Sequence, residues 1–139
     1  MPNPGHSDTT TEGVRIRVAA QLVPGESDAD QSRYTFAYRV LITNLGSSTV
    51  KLLSRHWLIK DANNEAREVR GPGVVGENPE LAPGESFEYM SGCPLATEWG
   101  TMEGSYTMRR EDGSLFRARI GRFFLARTTA PIASMETAE

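Results

Sequence analysis

The sequence predicts an all-β sandwich, and three observations predict it. Apolar and polar side chains alternate with period two through most of the chain, the signature of a pleated strand with one buried face. Clusters of Gly, Pro, Asn and Asp punctuate those runs at fairly regular spacing. No stretch sustains the i, i+3, i+4, i+7 apolar spacing of an amphipathic helix.

The strands follow in order. Val14, Ile16, Val18, Ala20 and Leu22 share one face, with Arg15, Arg17 and Gln21 opposite. Tyr34, Phe36, Tyr38, Val40 and Ile42 repeat the pattern against Arg33, Thr35 and Arg39. Asn44-Leu45-Gly46-Ser47 is a turn, because Asn and Gly tolerate left-handed backbone angles. Val50–Ile59 is a strand richer in apolar residues on both faces, and Asp61-Ala62-Asn63-Asn64 turns it into a short strand over Glu65–Val69. Residues 71–84 hold three prolines and four glycines and read as a loop. Phe87 and Tyr89 mark a short strand, and Gly100–Arg110 places Met102, Tyr106 and Met108 on one side. Glu111-Asp112-Gly113 is a hairpin signal, and its second strand places Phe116, Ala118, Ile120 and Phe124 together. Seven to eight short, mainly antiparallel strands of this kind predict an immunoglobulin- or fibronectin-III-like β-sandwich.

At 139 residues the chain is long enough for one domain with a proper core and short for two. The sandwich is expected over residues 13–126. A disordered N-terminal tail (1–12) and a flexible C-terminal tail (127–139) are expected around it, since both ends lack apolar periodicity. A net charge of −3 argues against nucleic acid as the main partner. No 18-residue apolar run exists to span a membrane, and no secretory leader is apparent. Cys93 is the only cysteine, which excludes an internal disulfide and a cysteine-based zinc site and suits a cytoplasmic protein.

Gly71-Pro72-Gly73-Val74-Val75-Gly76 matches G-x-G-x-x-G, so Gly71, Gly73 and Gly76 are the candidate pyrophosphate-binding residues. The segment after them, Glu77-Asn78-Pro79-Glu80, cannot open the helix whose N-terminus would hold the phosphate. A structural loop closing one end of the sandwich is the competing expectation, with Val74, Val75, Glu77 and Pro79 as partner-binding residues at its tip. His56 is expected to be a hydrogen-bonded, partly buried side chain, and Trp57 a ring spanning two sheets. Cys93 has no adjacent base and is expected to be inert. Glu77, Glu80, Glu85 and Glu88 match no cation-binding loop. Arg117 and Arg119 share a strand face and form either a positive stripe for an acidic partner or cross-strand pairs with acids such as Glu103. No Ser/His/Asp set, carboxylate pair or metal site is present in the pattern, so no catalytic residue, cofactor or metal is assigned and an enzyme is not expected.

Several motifs in order resemble one family. Arg55-His56-Trp57-Leu58-Ile59 with Asp61, the run from Val69 through Gly71, Gly73 and Gly76 to Pro83-Gly84, Phe87-x-Tyr89-x-Ser91-Gly92, Gly100-x-Met102-x-Gly104-x-Tyr106 and the Phe116–Leu125 strand are similar to the ApaG family of bacteria. The resemblance covers about residues 13–126. It implies a fibronectin-III-like sandwich and a domain shared with F-box and polymerase-delta-interacting proteins, where it mediates protein contacts. It also implies an association with cobalt and magnesium sensitivity. The function expected from all this is a non-catalytic module binding another protein, with homodimer formation through an exposed edge strand as a further expectation. A small-ligand site for pyrophosphate-containing nucleotides or divalent cations at Gly71–Gly76 is the alternative.

Overall fold

Alternation sets the strands, and their pairing sets the architecture. The computed structural model describes residues 5–126. Nine strands run in the order β1 (His6–Thr11), β2 (Val14–Leu22), β3 (Tyr34–Asn44), β4 (Val50–Asp61), β5 (Ala66–Pro72), β6 (Glu80–Leu81), β7 (Ser86–Leu95), β8 (Gly100–Arg110) and β9 (Leu115–Leu125). One sheet is ordered β1-β2-β3-β7, and the other β5-β4-β8-β9, with β6 pairing β4. Every pairing is antiparallel. Without β1 and β6 this is three strands facing four, the arrangement of a fibronectin-III-like sandwich.

The two inner faces meet in one core. Val14, Ile16, Val18 and Ala20 of β2 and Phe36, Val40 and Ile42 of β3 are buried against Leu52, Tyr106, Met108 and Ile120 of the other sheet. Trp57, 2% exposed, stands at the centre as the sequence suggests. Its ring meets Tyr38 (centroids 5.4 Å apart), Tyr106 (6.4 Å) and Phe123 (6.1 Å), joining both sheets through edge contacts.

Two β-bulges decide which side chains face that core, and simple alternation misses both. In β4 the register shifts between Leu52 and Ser54, so Val50 and Leu52 point inward before the bulge and Trp57 and Ile59 after it. That flip explains the apolar residues on both faces. In β9 the three-residue step from Ile120 to Phe123 opposes the two-residue step from Gly104 to Met102. Phe123 therefore enters the core and Phe124 is turned outward, contrary to expectation; there it stacks on Trp99 at 6.0 Å.

Three other expectations need correcting. Residues 6–11, taken as tail, form β1, held to β2 through a two-residue turn in which Glu12 (φ 46°) and Gly13 (φ 88°) are both left-handed. Residues 71–84 are not all loop, since β5 runs on to Pro72 and β6 forms at Glu80–Leu81. The strand around Phe87 and Tyr89 extends over ten residues to Leu95. The tails expected at 1–4 and 127–139 lie outside the described residues.

The sandwich is closed on one flank and open on the other. β1 and β2 pack against β9, and the Arg119 amide donates to Thr11 Oγ1 at 3.1 Å. On the opposite flank β7 and β5, the other edges of the two sheets, leave a gap between them.

Candidate functional site

The open flank holds a cleft of about 340 Å³ between β5 and β7. Its floor is core material: Tyr38, Trp57, Ile59 and Met102. Ser91, Cys93 and Pro94 of β7 form one wall, and Val69 of β5 the other. A second hollow of about 210 Å³ continues it, sharing Ile59, Arg67 and Pro94 and ending at Leu95 and Ala96. The result is an apolar groove lying along two strand edges.

Two arginines supply its charge. Arg55 sits beyond the β4 bulge, which turns it to the same side as Trp57. Its Nη1 donates to the carbonyls of Pro72 (2.8 Å) and Gly73 (2.9 Å). Arg67 reaches from β5 across to β7, where Nη2 donates to Pro94 O (3.3 Å) and lies 3.7 Å from Cys93 Sγ. Cys93 is 2% exposed, and burial raises its thiol above the ordinary range although Arg67 pulls the other way. Burial likewise raises the Tyr38 phenol, against a hydrogen bond from Ser91. Both shifts favour the protonated form, the opposite of what activates a nucleophile. The sequence points to neither arginine.

The glycine motif lies at the end of this groove and serves the β4 bulge. The bulge leaves backbone groups of Leu52 and Leu53 without strand partners. Gly73 N donates to Leu53 O (2.9 Å), Leu52 N donates to Pro79 O (2.9 Å), and Asn78 Nδ2 donates to Leu52 O and Leu53 O (3.1 Å each). Val74 and Glu77 exchange both amide bonds at 2.8 Å around a two-residue turn. Gly73 is required there: its φ is +58°, and a Cβ would lie 2.3 Å from Glu77 O. Gly71 makes room for the Arg55 guanidinium, which a Cβ would meet at 2.8 Å. The Gly73, Val74 and Glu77 amides are bonded inside the loop and so are not available to an anion.

The expected contact residues divide. Val74 is buried in the core and unavailable to a partner, because its side chain points under the turn it helps close. Val75 is 54% exposed and held at φ 43°, a strained angle for a β-branched residue. Glu77 is exposed and Pro79 partly so. His56 behaves as expected, half-exposed with Nε2 3.1 Å from Glu68 Oε1. The acidic residues scatter: Glu85 accepts from Ala82 N and Glu88 pairs with Arg39. Among the described residues no group of three or more His, Cys, Asp or Glu is placed to hold a metal ion. No helix among them is long and apolar enough to cross a membrane.

The model of the ApaG domain matches residues 24–110. The chain belongs to the ApaG family. It is 50% identical to Protein ApaG of Dechloromonas aromatica over 120 residues, 86% of this chain and 94% of that protein. It is 55% identical to Protein ApaG of a Methylobacterium species (strain 4-46) over 115 residues, 83% of this chain and 88% of the relative. Among solved structures it is similar to the putative ApaA protein of Bordetella pertussis. That match has a TM-score of 0.82 and 45% identity, covering 93% of this chain and all (100%) of the other. The ApaG match spans β3, β4, β5, β6, β7 and β8, the strands that build the groove and the glycine loop.

Proposed function

We propose that this ApaG-family chain is a non-catalytic, cytoplasmic protein-interaction module that takes an extended segment of a partner along its open flank. The observation that carries this is the groove between β5 and β7, where core rings lie at the floor between two unpaired edges. Such edges offer backbone hydrogen bonds to an added strand, and the groove offers pockets for alternate side chains. The exposed Val75 tip extends the same surface at the end where Arg55 holds the glycine loop. On this reading the family's association with cobalt and magnesium sensitivity acts through a protein partner. Homodimer formation would use the same edges and so compete with peptide.

Selection from a displayed library of random peptides tests it. Peptides enriched on the full chain are expected to lose binding to Ser91→Trp, which fills the groove, while the variant keeps the parent's cooperative thermal unfolding. Failure to enrich any peptide over that blocked variant would sink the proposal.

A further inference from the structure

The outer face of the larger sheet carries a second hollow, which shares only Arg55 with the lining of the groove. Ser54 and His56 of β4, Ser105 and Thr107 of β8, Arg70 of β5 and Arg117 of β9 line a hollow of about 180 Å³. Strand register brings them together: Ser54 stands opposite Thr107, and Thr107 opposite Arg117, while His56 lies between Arg70 and Ser105. Arg119 stands opposite Ser105 in the next row.

Apart from His56 and Arg70, the polar groups here are not used by the fold. Among the described residues, the side chains of Ser54, Ser105, Thr107, Arg117 and Arg119 have neither a hydrogen-bond nor an ion-pair partner. Glu103, which the sequence offers as a partner for the β9 arginines, instead pairs with Arg122 at 3.3 Å. The one acid at the rim is Glu68, which holds His56 Nε2 at 3.1 Å and Arg70 Nη2 at 3.3 Å. Further along the same face Arg109 and Lys51 stand opposite each other, but Glu80 pairs opposite Lys51 and Glu111 lies beside them, so the unmatched charge is confined to the hollow.

Three hydroxyls and two or more guanidinium groups around one hollow suit a tetrahedral oxyanion better than a planar carboxylate. Hydroxyls rotate to donate to several oxygens, and arginine's fork binds phosphate oxygens in pairs. We infer that this hollow binds a phosphate monoester dianion. Arg117 and Arg70 supply the charge, the three hydroxyls coordinate the remaining oxygens, and Glu68 holds Arg70 in place at a cost in local potential.

The test is an amide-shift titration of the labelled full chain at constant ionic strength in chloride, with inorganic phosphate, phosphoserine and serine in turn. Saturable shifts at Ser54–His56, Arg70–Gly71, Ser105–Thr107 and Arg117–Arg119 are expected with phosphoserine and with phosphate, and none with serine. Arg117→Ala is expected to weaken phosphoserine about tenfold, Ser105→Ala to weaken it less, and Glu68→Gln to tighten it. Arg109→Ala, on the same face outside the hollow, is expected to leave it unchanged. A linear response to both phosphates, binding of inorganic phosphate alone, or equal losses in Arg109→Ala and Arg117→Ala would each overturn the assignment. The Ser91→Trp block does not touch this face, so failure here is separable from failure of the groove.

Discussion

The hydroxyls of Tyr89 and Tyr106 bond to each other in the core, one phenol from each sheet. Each is the other's partner at a depth where an unmatched hydroxyl costs more than a missing one. Tyr89→Phe, which strands the fully buried Tyr106 hydroxyl, is therefore expected to destabilise the fold by about 1–3 kcal/mol, and Tyr106→Phe by less because the stranded Tyr89 hydroxyl lies nearer the surface. The double variant is expected to cost less than the two singles added together, since neither hydroxyl is then stranded. Urea midpoints of the four proteins check this; strict additivity would mean that the two groups do not act as a pair. Asn44 follows the same rule with full satisfaction. Buried at 1% exposure, it donates to Ser48 O and Leu81 O and accepts from Gly46 N, so a residue that marks only a turn in the sequence also ties β3 to β6.

At the scale of elements, the strongest constraint is how closely β4 and β8 approach. Gly104 lies at the middle of that pairing, and a Cβ there would sit 2.0 Å from His56 O and 3.1 Å from Trp57 Cα, both backbone atoms. Backbone in the centre of a sheet cannot move aside as a side chain can. Gly104→Ala is expected to cost at least about 1–3 kcal/mol. Gly113→Ala, in open space on the β8–β9 turn at φ +87°, is expected to cost about 1 kcal/mol from backbone strain alone. Thermal unfolding ranks the two, and the reverse order would show that the sheet opens locally. Alternation made β2, the front of β3 and all of β8 legible in the sequence, because the core-facing residues of each keep one parity, even though Arg17 and Ala19 on the other face of β2 are covered as well. It failed wherever the parity changes. The bulge after Ile120 leaves no residue signature, so Phe124 was placed on the wrong face, and the bulge at Leu53 shows in the sequence only as apolar residues on both faces. It failed also at β1, whose Ser-Asp-Thr-Thr-Thr run buries almost nothing apolar and is held by pairing to β2. The groove was illegible for a related reason: it belongs to no motif, and exists because two strands distant in sequence end their sheets on the same flank.

Across the whole molecule, three phenols from both sheets share one apolar interior, so their ionisation is a property of the fold. Burial raises Tyr38, Tyr89 and Tyr106 above the ordinary phenol range. The sign follows directly. Below the ordinary phenol value of about 10, folded and unfolded chains are both protonated and these groups contribute their full stability. Above it the unfolded chain loses phenol protons first, so stability falls as pH rises toward the higher folded-state values. Urea midpoints are expected to drop steeply on the alkaline side, with tyrosinate absorbance of these three rings appearing together with unfolding. Three phenols ionising near pH 10 with the fold intact would contradict the buried pairing.

β1 closes the flank that would otherwise match the open one, and it does so with six of the chain's first eleven residues. A version trimmed to Val14, where the apolar pattern begins, would keep nearly every core side chain and still be a different object. The β2 edge would lose its neighbour, Thr11 would no longer receive the Arg119 amide, and Gly121 would lose the Thr9 hydroxyl that lies over it. Such a protein would present adhesive margins on both sides. Chains of it would be free to join edge to edge in both directions, turning a sandwich with one open flank into a link of a growing filament.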